Sequence, residues 1–442
     1  MLIMTPNVHK DDVIGIVGVG YVGLPLAMCF AERYMVIGYD ISQEKIGALN
    51  EGRSYIDDVP DELLNKYLNK SFFATTDKDD LKQCNYIMIA VPTPIDKNRK
   101  PDLGPVIGST RTVSSILQKG QTVILESTTY PGTVEEVMAP ILEEGGMRAG
   151  KDFFLAYSPE RIDPGNKKNT IYNTPKIVGG CDEDTTQRVY EIYQSVISAP
   201  IKKVSNIKTA EATKIFENVF RAVNIALVNE LSIIFDNMGI NTWEVIDAAS
   251  TKPMGFMAHY PGVGVGGHCI PVDPYYLSYK AKKIGHRTRF IELAGEINHY
   301  MPIHIAYLTL DTMTRSGIRP EDSKITVLGV AYKPNTNDTR DSPSIDLIEQ
   351  LKEEAFEVRY YDPFVPLLRL EDGDMHGCRT LEEALDSDCV VLAVPHDMFS
   401  NATFEQKIQQ SSVKVVIDCK NILNGDLMDG KIYKSIGNGR RI

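Results

Sequence analysis

Val13–Ala27 reads VIGIVGVGYVGLPLA. A short apolar run enters Gly18, Gly20 and Gly23, spaced G-x-G-x-x-G, and a helical pattern begins at once behind them. Strand, tight turn and helix fit that order. The first glycine permits the turn, the second lets the backbone approach a pyrophosphate, and the third packs helix on sheet, with the helix N-terminus facing the anion. Tyr21 and Val22 fill the turn and join the glycines as expected cofactor contacts. The motif alone is weak evidence. It gains weight from the next strand, MVIGYD, whose Asp40 stands where a carboxylate takes the ribose hydroxyls of NAD. No arginine in YDISQ is placed to receive a 2′-phosphate, so NAD is expected over NADP.

Outward from this turn, short apolar strands alternate with helical text through NYIMIAVPTP, TVILESTTYPG and DFFLAYSPER, the pattern of a doubly wound, mostly parallel sheet. Thr93 and Ser127 fall at later strand ends, where open α/β sheets bind ligands. Around Ser205 the period changes, and Ile215, Val219, Leu227, Leu231 and Ile234 recur at helical spacing. One helix of about 45 Å is expected if roughly 30 residues are helical, ending at Gly239. A second alternating section opens at Lys324 with KITVLGVAYKP and continues through EVRYYDP, DCVVLAVPHDMF and VKVVIDCKNI. The expected architecture is α/β: two Rossmann-like doubly wound domains, residues 1–204 and 316–442, joined by a helical domain at 205–315. No shared motif marks the two lobes as a sequence repeat.

At 442 residues, with 43% hydrophobic and 24% charged residues, the chain has the composition of a multidomain globular protein. Its net charge of −12 argues against a polyanion-binding face, so nucleic acid is not an expected partner, and phosphate must be held by a few placed cations and amides. No leader pattern and no run of about 18 apolar residues is evident, so a cytoplasmic protein without membrane contact is expected. Seven scattered cysteines lack CxxC pairs or zinc spacing, which gives neither a disulfide framework nor a metal site. Cys29 and Cys389 read as small core residues.

Cys269 reads differently. It lies in PGVGVGGHCIPVDP (Pro261–Pro274), whose four glycines offer close backbone approach to a ligand, Gly266 among them, and leave a thiol uncrowded for attack on a carbonyl. Asp273, four residues on, can order a water or base. His268 competes as the activating base, but adjacent residues of an extended loop point apart, which favours a backbone or packing role. Lys214 and Asn218 share one helix face, and a lysine near a substrate oxygen stabilises the charge that develops as hydride leaves. A thiol beside a redox cofactor suggests two successive oxidations, alcohol to aldehyde and captured aldehyde to thioester, with two NAD per turnover. Glu160, in YSPERIDPG, can steer the water that releases the carboxylate.

With these residues assembled, the chain resembles the UDP-glucose/GDP-mannose dehydrogenase family over residues 11 to 430, through GVGYVGLPLA, AVPTP, ESTTYPGT, SPERIDPG, the Lys214/Asn218 helix, GVGVGGHCIPVDP and GVAYKPNTNDTRDSPS. The resemblance implies that Cys269 is the nucleophile and that Lys214 and Asp273 hold the water that helps deprotonate the alcohol. It implies that Asn218 and Thr128 assist in ordering that water and that Glu160 works in thioester hydrolysis. It makes the C-terminal lobe a UDP-binding domain, with Lys333 reaching the nucleotide sugar and Arg340 reaching back to NAD, and it implies a homodimer or larger homo-oligomer assembled through the central helix. Within the family the wording is similar to the branch acting on UDP-N-acetylhexosamines, UDP-GlcNAc foremost. UDP-GalNAc, UDP-ManNAc and UDP-glucose stay open, and so, further off, does a two-electron β-hydroxyacid-type dehydrogenase. The UDP-glucose branch has a second glutamate soon after the first, and an arginine from the neighbouring subunit ahead of the glycine loop. Here those stretches read Arg-Ile-Asp-Pro and TKPMGFMAHYPG, leaving Arg161, His259 and Tyr260 as candidates for reading the sugar.

Overall fold

A computed structural model describes residues 11–96, 99–162, 168–355, 357–370 and 372–440. The chain divides into two compact units, Met1–Glu217 with Tyr275–Gly285, and Asn218–Pro274 with His286–Ile442.

In the first unit, β1 (Val13–Val17), β2 (Met35–Tyr39), β3 (Phe72–Thr75), β4 (Tyr86–Ile89), β5 (Thr122–Leu125), β6 (Phe154–Tyr157), β7 (Lys176–Gly180) and β8 (Ile201–Lys203) form one sheet in the order β3-β2-β1-β4-β5-β6-β7-β8. All pairs are parallel except β6 with β7. The strands are apolar on both faces because both faces are covered. Ile14, Ile16, Val36, Met88 and Ile124 pack on one side with the helix Gly23–Ala31. Val17, Ile37, Ile89, Val123 and Leu125 pack on the other with Val106 and Val113.

The second unit holds β9 (Lys324–Leu328), β10 (Glu357–Tyr361), a hairpin of β11 (Leu367–Leu370) and β12 (Gly373–His376), then β13 (Cys389–Leu392), β14 (Val415–Asp418) and β15 (Ile432–Ser435). Its main sheet runs β10-β9-β13-β14-β15, all parallel. Ile325, Val327, Val391 and Ile417 face Leu347, Ile348 and Leu351 of the helix Pro343–Lys352.

The two lobes repeat one backbone device that their sequences conceal. Gly18 N–H donates to Tyr39 O and Gly329 N–H to Tyr361 O, each at 2.8 Å. Both glycines have positive φ, +92° and +85°. The carboxylate after the second strand then takes the amide beyond the glycine: Val19 N to Asp40 Oδ2 at 3.2 Å, and Val330 N to Asp362 Oδ2 at 2.8 Å. In the second lobe His396 Nε2 also lies 3.0 Å from Asp362 Oδ2, so that carboxylate is turned to structural use.

The expected long helix is Ile207–Met238, 32 residues. Gly239 ends it at φ +75°, and Ile240 N–H reaches back to Phe235 O at 2.8 Å. By length and by a mean hydropathy of 1.3 over its most apolar window this helix could span a membrane, with a third of that window buried within the chain.

Candidate active site

The first unit forms a dinucleotide crevice. A methyl on Gly18 would strike Ala90 O and one on Gly23 would strike Gly18 O, so both positions admit only glycine. A methyl on Gly20 would meet nothing within 4 Å, which leaves open space over the turn at the N-terminus of the helix Gly23–Ala31. That space and those amides suit a pyrophosphate. Tyr21 is exposed and Val22 half-buried beside them. Asp40 is buried and pre-set, accepting from Val19 N and from Ser42 N at 3.0 Å, with Lys45 Nζ at 3.7 Å. Ile41, next in sequence, is 83% exposed, an apolar surface beside the ribose carboxylate that sequence reasoning missed. Ser127 Oγ accepts from Val91 N at 2.9 Å and donates to Val91 O at 2.7 Å, clamping the ends of β4 and β5; Thr93 lies half-buried nearby in the chain. These residues fit NAD.

At the ends of β5, β6 and β7 the same unit gathers charge. Lys214 is buried, and its Nζ donates to Glu160 O at 2.7 Å. Glu160 Oε1 accepts from Arg161 N at 2.7 Å and Ile162 N at 2.8 Å, while its Oε2 faces Lys176 Nζ at 3.6 Å. Lys176 also pairs with Glu126 Oε2 at 2.7 Å. Burial raises the Glu126 carboxyl to about 6 against the pull of Lys176. Burial would lower the Lys176 ammonium, but Glu126 and Glu160 outweigh it and hold it above its ordinary value. Neither Glu126 nor Lys176 was singled out as a site residue: Glu126 opens the ESTTYPGT motif but reads there as a strand-end residue, and Lys176 lies in no motif. Arg161 is engaged by Glu217 and by Pro175 O at 2.7 Å. Of the Arg-Ile-Asp-Pro stretch, residues 161–164, that stands where the UDP-glucose branch has its second glutamate, residues 163 and 164 lie outside the described residues. Thr128 is half-buried, whereas neighbouring Thr129 is fully buried with a hydroxyl that has no partner among the described residues.

The second unit carries the thiol loop. Cys269 is half-buried, and its carbonyl accepts from Val272 N at 3.2 Å and Asp273 N at 2.8 Å in a turn that starts the helix Asp273–Lys283. Asp273 is 2% exposed, and Asn218 Nδ2 donates to its Oδ2 at 2.5 Å. The glycines have a reason beyond ligand approach. A methyl on Gly264 would lie 2.9 Å from Asn298 O, one on Gly266 2.8 Å from Asp341 O, and one on Gly267 2.8 Å from the Tyr332 ring. The loop is bare chiefly because protein packs against it, and Gly267 N–H donates to Arg340 O at 3.1 Å. Arg340 itself forks onto Asp338, with Nε at 2.9 Å from Oδ1. Near His268 as well as Arg340, the Asp338 carboxyl is held below its ordinary range, although burial opposes this. Lys333 Nζ lies 5.5 Å from the Tyr332 ring centroid. His259 is half-buried with Nδ1 3.1 Å from Met257 O, and Tyr260 donates to Asp247 at 2.7 Å while stacking on Trp243. Lys420, after β14, was also missed. Burial lowers its ammonium, it makes no ion pair among the described residues, and a methyl on Gly262 would run into its Nζ.

Among the described residues, which include all seven cysteines, no disulfide forms and no cluster suits a metal ion. A dinucleotide crevice, a second doubly wound lobe and a half-buried thiol in a tight loop together fit an NAD-dependent dehydrogenase.

Residues 12–197, 208–300 and 326–425 match, in turn, the NAD binding, central and UDP binding domains of one family. Protein CapL of Staphylococcus aureus is 40% identical over 93% of this chain and 96% of its own. The UDP-N-acetyl-D-glucosamine 6-dehydrogenase of Pseudomonas aeruginosa is 38% identical over 95% and 99%. The solved structure of a UDP-D-ManNAc dehydrogenase from Pyrococcus horikoshii superposes with a TM-score of 0.89 at 36% identity, covering 97% of this chain and 99% of that one. The chain belongs to the UDP-glucose/GDP-mannose dehydrogenase family.

Proposed function

We propose that this protein oxidises the C6 hydroxyl of a UDP-N-acetylhexosamine, UDP-GlcNAc foremost, to the uronic acid, making a glycosyl donor for surface polysaccharide. The relatives named for UDP-GlcNAc and UDP-ManNAc support the N-acetylhexosamine class. The observation that carries the reading is the Asn218–Asp273 bond beside the Cys269 turn, because it fixes a buried carboxylate four residues from a thiol. NAD bound over Gly18–Gly23 supplies the hydride acceptor, twice per product. Asp273 and Lys214 hold a water that takes the C6 proton, with Asn218 and Thr128 ordering it, and Lys214 stabilises the oxygen as charge develops. The Cys269 thiolate adds to the aldehyde as a thiohemiacetal, whose oxidation gives a thioester. Water attacks that thioester with help from Glu160, the C–S bond breaks, and the thiol and a carboxylate are released. One alcohol, two NAD and one water thus give one carboxylate, two NADH and three protons.

We assign residues 1–204 to NAD binding, 205–315 to catalysis and assembly, and 316–442 to the UDP group, with Lys333 and Lys420 as its cationic contacts and Arg340 completing the cofactor site. Arg161, His259 and Tyr260 are assigned to sugar recognition with the amide of Gly266. Exposed Phe220, Leu227 and Ile234 on the long helix, with Phe290, Leu293 and Tyr307 on the helix Arg289–Arg315, make an apolar face that a second copy would cover, giving a homodimer. A cytoplasmic setting supplies the NAD. NADH formation across a panel of UDP-sugars tests the substrate. Highest kcat/KM for UDP-GlcNAc is expected, and a higher value for UDP-GalNAc or UDP-ManNAc would overturn that choice.

A further inference from the structure

The charged cluster behind Glu160 is larger than the reaction requires. Glu126 Oε2 and Glu160 Oε2 share one ammonium, Lys176 Nζ, at 2.7 and 3.6 Å, and the third contact of that ammonium is Pro159 O at 3.2 Å. Lys176 and Glu126 are almost wholly buried, so water screens little of their interaction. Tyr193 donates its hydroxyl to Glu126 Oε1 and lies under the ammonium, whose Nζ is 4.9 Å from the ring centroid. Glu160 Oε2 is buried and has no hydrogen-bond donor among the described residues, so the Lys176 charge is what faces it.

We propose that Lys176 is a positioning residue for Glu160, and that the protonation of Glu126 sets how strongly Lys176 holds it. This rests on the reading of Glu160 as the group that assists thioester hydrolysis. While Glu126 is ionised, Lys176 is drawn chiefly to Glu126, the nearer carboxylate, and holds Glu160 only loosely. When Glu126 takes a proton its attraction for the ammonium is lost, the full charge of Lys176 falls on Glu160, and that carboxylate is held inward. Glu126, rather than Glu160, then defines the acidic limb of the second half-reaction. The carboxyl of Glu126, raised by burial to about 6, places that limb in an accessible range. The groups facing Glu126 are Lys176 on β7, Tyr193 on the helix Glu183–Gln194 and Glu160 after β6. Cys29, on the helix Gly23–Ala31, senses Glu160 and Lys176, but burial pushes its thiol far up and it stays neutral.

The test follows kcat of the intact protein with NAD and UDP-GlcNAc, or the epimer selected by the panel, from roughly pH 5 to 9. Quenched samples are weighed for a sugar adduct on Cys269. The native protein should lose activity below about 6 with adduct accumulating. Glu126→Gln should be about tenfold slower near neutral pH, lack that limb and rest as the adduct. Tyr193→Phe, which removes a donor to the ionised carboxylate, should move the limb upward by about one pH unit, and it carries the test if Glu126→Gln does not fold. A native rate and limb in Glu126→Gln, or an unmoved limb in Tyr193→Phe, overturns the proposal. Glu160→Gln separates the two readings. If it hydrolyses the adduct normally, the role of Glu160 falls and this inference with it; if it stalls while Glu126→Gln does not, this inference alone falls.

Discussion

Asn218 Nδ2 donates to Asp273 Oδ2 at 2.5 Å, so a side chain on the long helix holds the carboxylate that opens the helix behind the thiol loop. Asp273 is buried, so little solvent screens it from whatever it orders. Asp273→Asn should lower kcat by about 10²–10³ with little change in KM, the size expected for loss of a positioned acid–base group. Asn218→Ala should cost about tenfold in kcat. Steady-state kinetics with saturating NAD checks both, and values within twofold of native would remove the pair from the chemistry.

The glycine loop yields a stability prediction. Gly266→Ala places a methyl 2.8 Å from Asp341 O and from Pro343 Cδ, neither of which can move aside cheaply. A loss of about 1–3 kcal/mol is expected. Thermal unfolding followed by circular dichroism should show a lower midpoint, whereas Gly47→Ala, on a helix with nothing within 4 Å of the added methyl, should not.

Cofactor choice rests on Asp40. Two amides orient it, and an adjacent carboxylate repels a 2′-phosphate. Asp40→Ala should raise KM for NAD by about tenfold and narrow the preference against NADP, with Lys45 left to meet the phosphate. Fluorescence titration with each dinucleotide measures this. An unchanged NAD:NADP ratio would contradict it.

Glu211 links stability to pH. It is buried, accepts from Gly132 N and from Val134 N at 3.0 Å, and burial raises its carboxyl from 4.5 to about 7. The folded protein therefore keeps a proton that the unfolded chain has lost, and this contribution to stability is lost as pH rises from 4.5 through about 7. Glu126 acts with the same sign, whereas His304, whose imidazolium is disfavoured by burial, acts with the opposite sign. Comparing native protein with Glu211→Gln cancels both. Between pH 5 and 8 the variant should gain on the order of 2 kcal/mol relative to native.

Much of this molecule could be read from its sequence. Gly18, Gly20, Gly23 and Asp40 lie within one βαβ unit, so their spacing carries their geometry. The long helix announced itself by its period and its closing glycine. The equivalence of Gly18/Asp40 with Gly329/Asp362 stayed hidden, because it lives in backbone amides and φ angles while the residues between differ. Glu126, Glu160 and Lys176 meet only because β5, β6 and β7 are neighbours in a sheet, a juxtaposition no local pattern encodes. The bareness of the Cys269 loop was visible, but its main physical reason, packing on Tyr332, Asp341 and Asn298, was not.

The central claim is that one sulfur carries the sugar through two oxidations. Its most direct measurement is the ratio of NADH formed to UDP-sugar consumed, in native protein and in Cys269→Ser, with the product assayed as acid or aldehyde. The account predicts two NADH per acid in the native protein and no sustained formation of acid in the variant. One NADH per sugar, or acid formed by Cys269→Ser at the native rate, would contradict it.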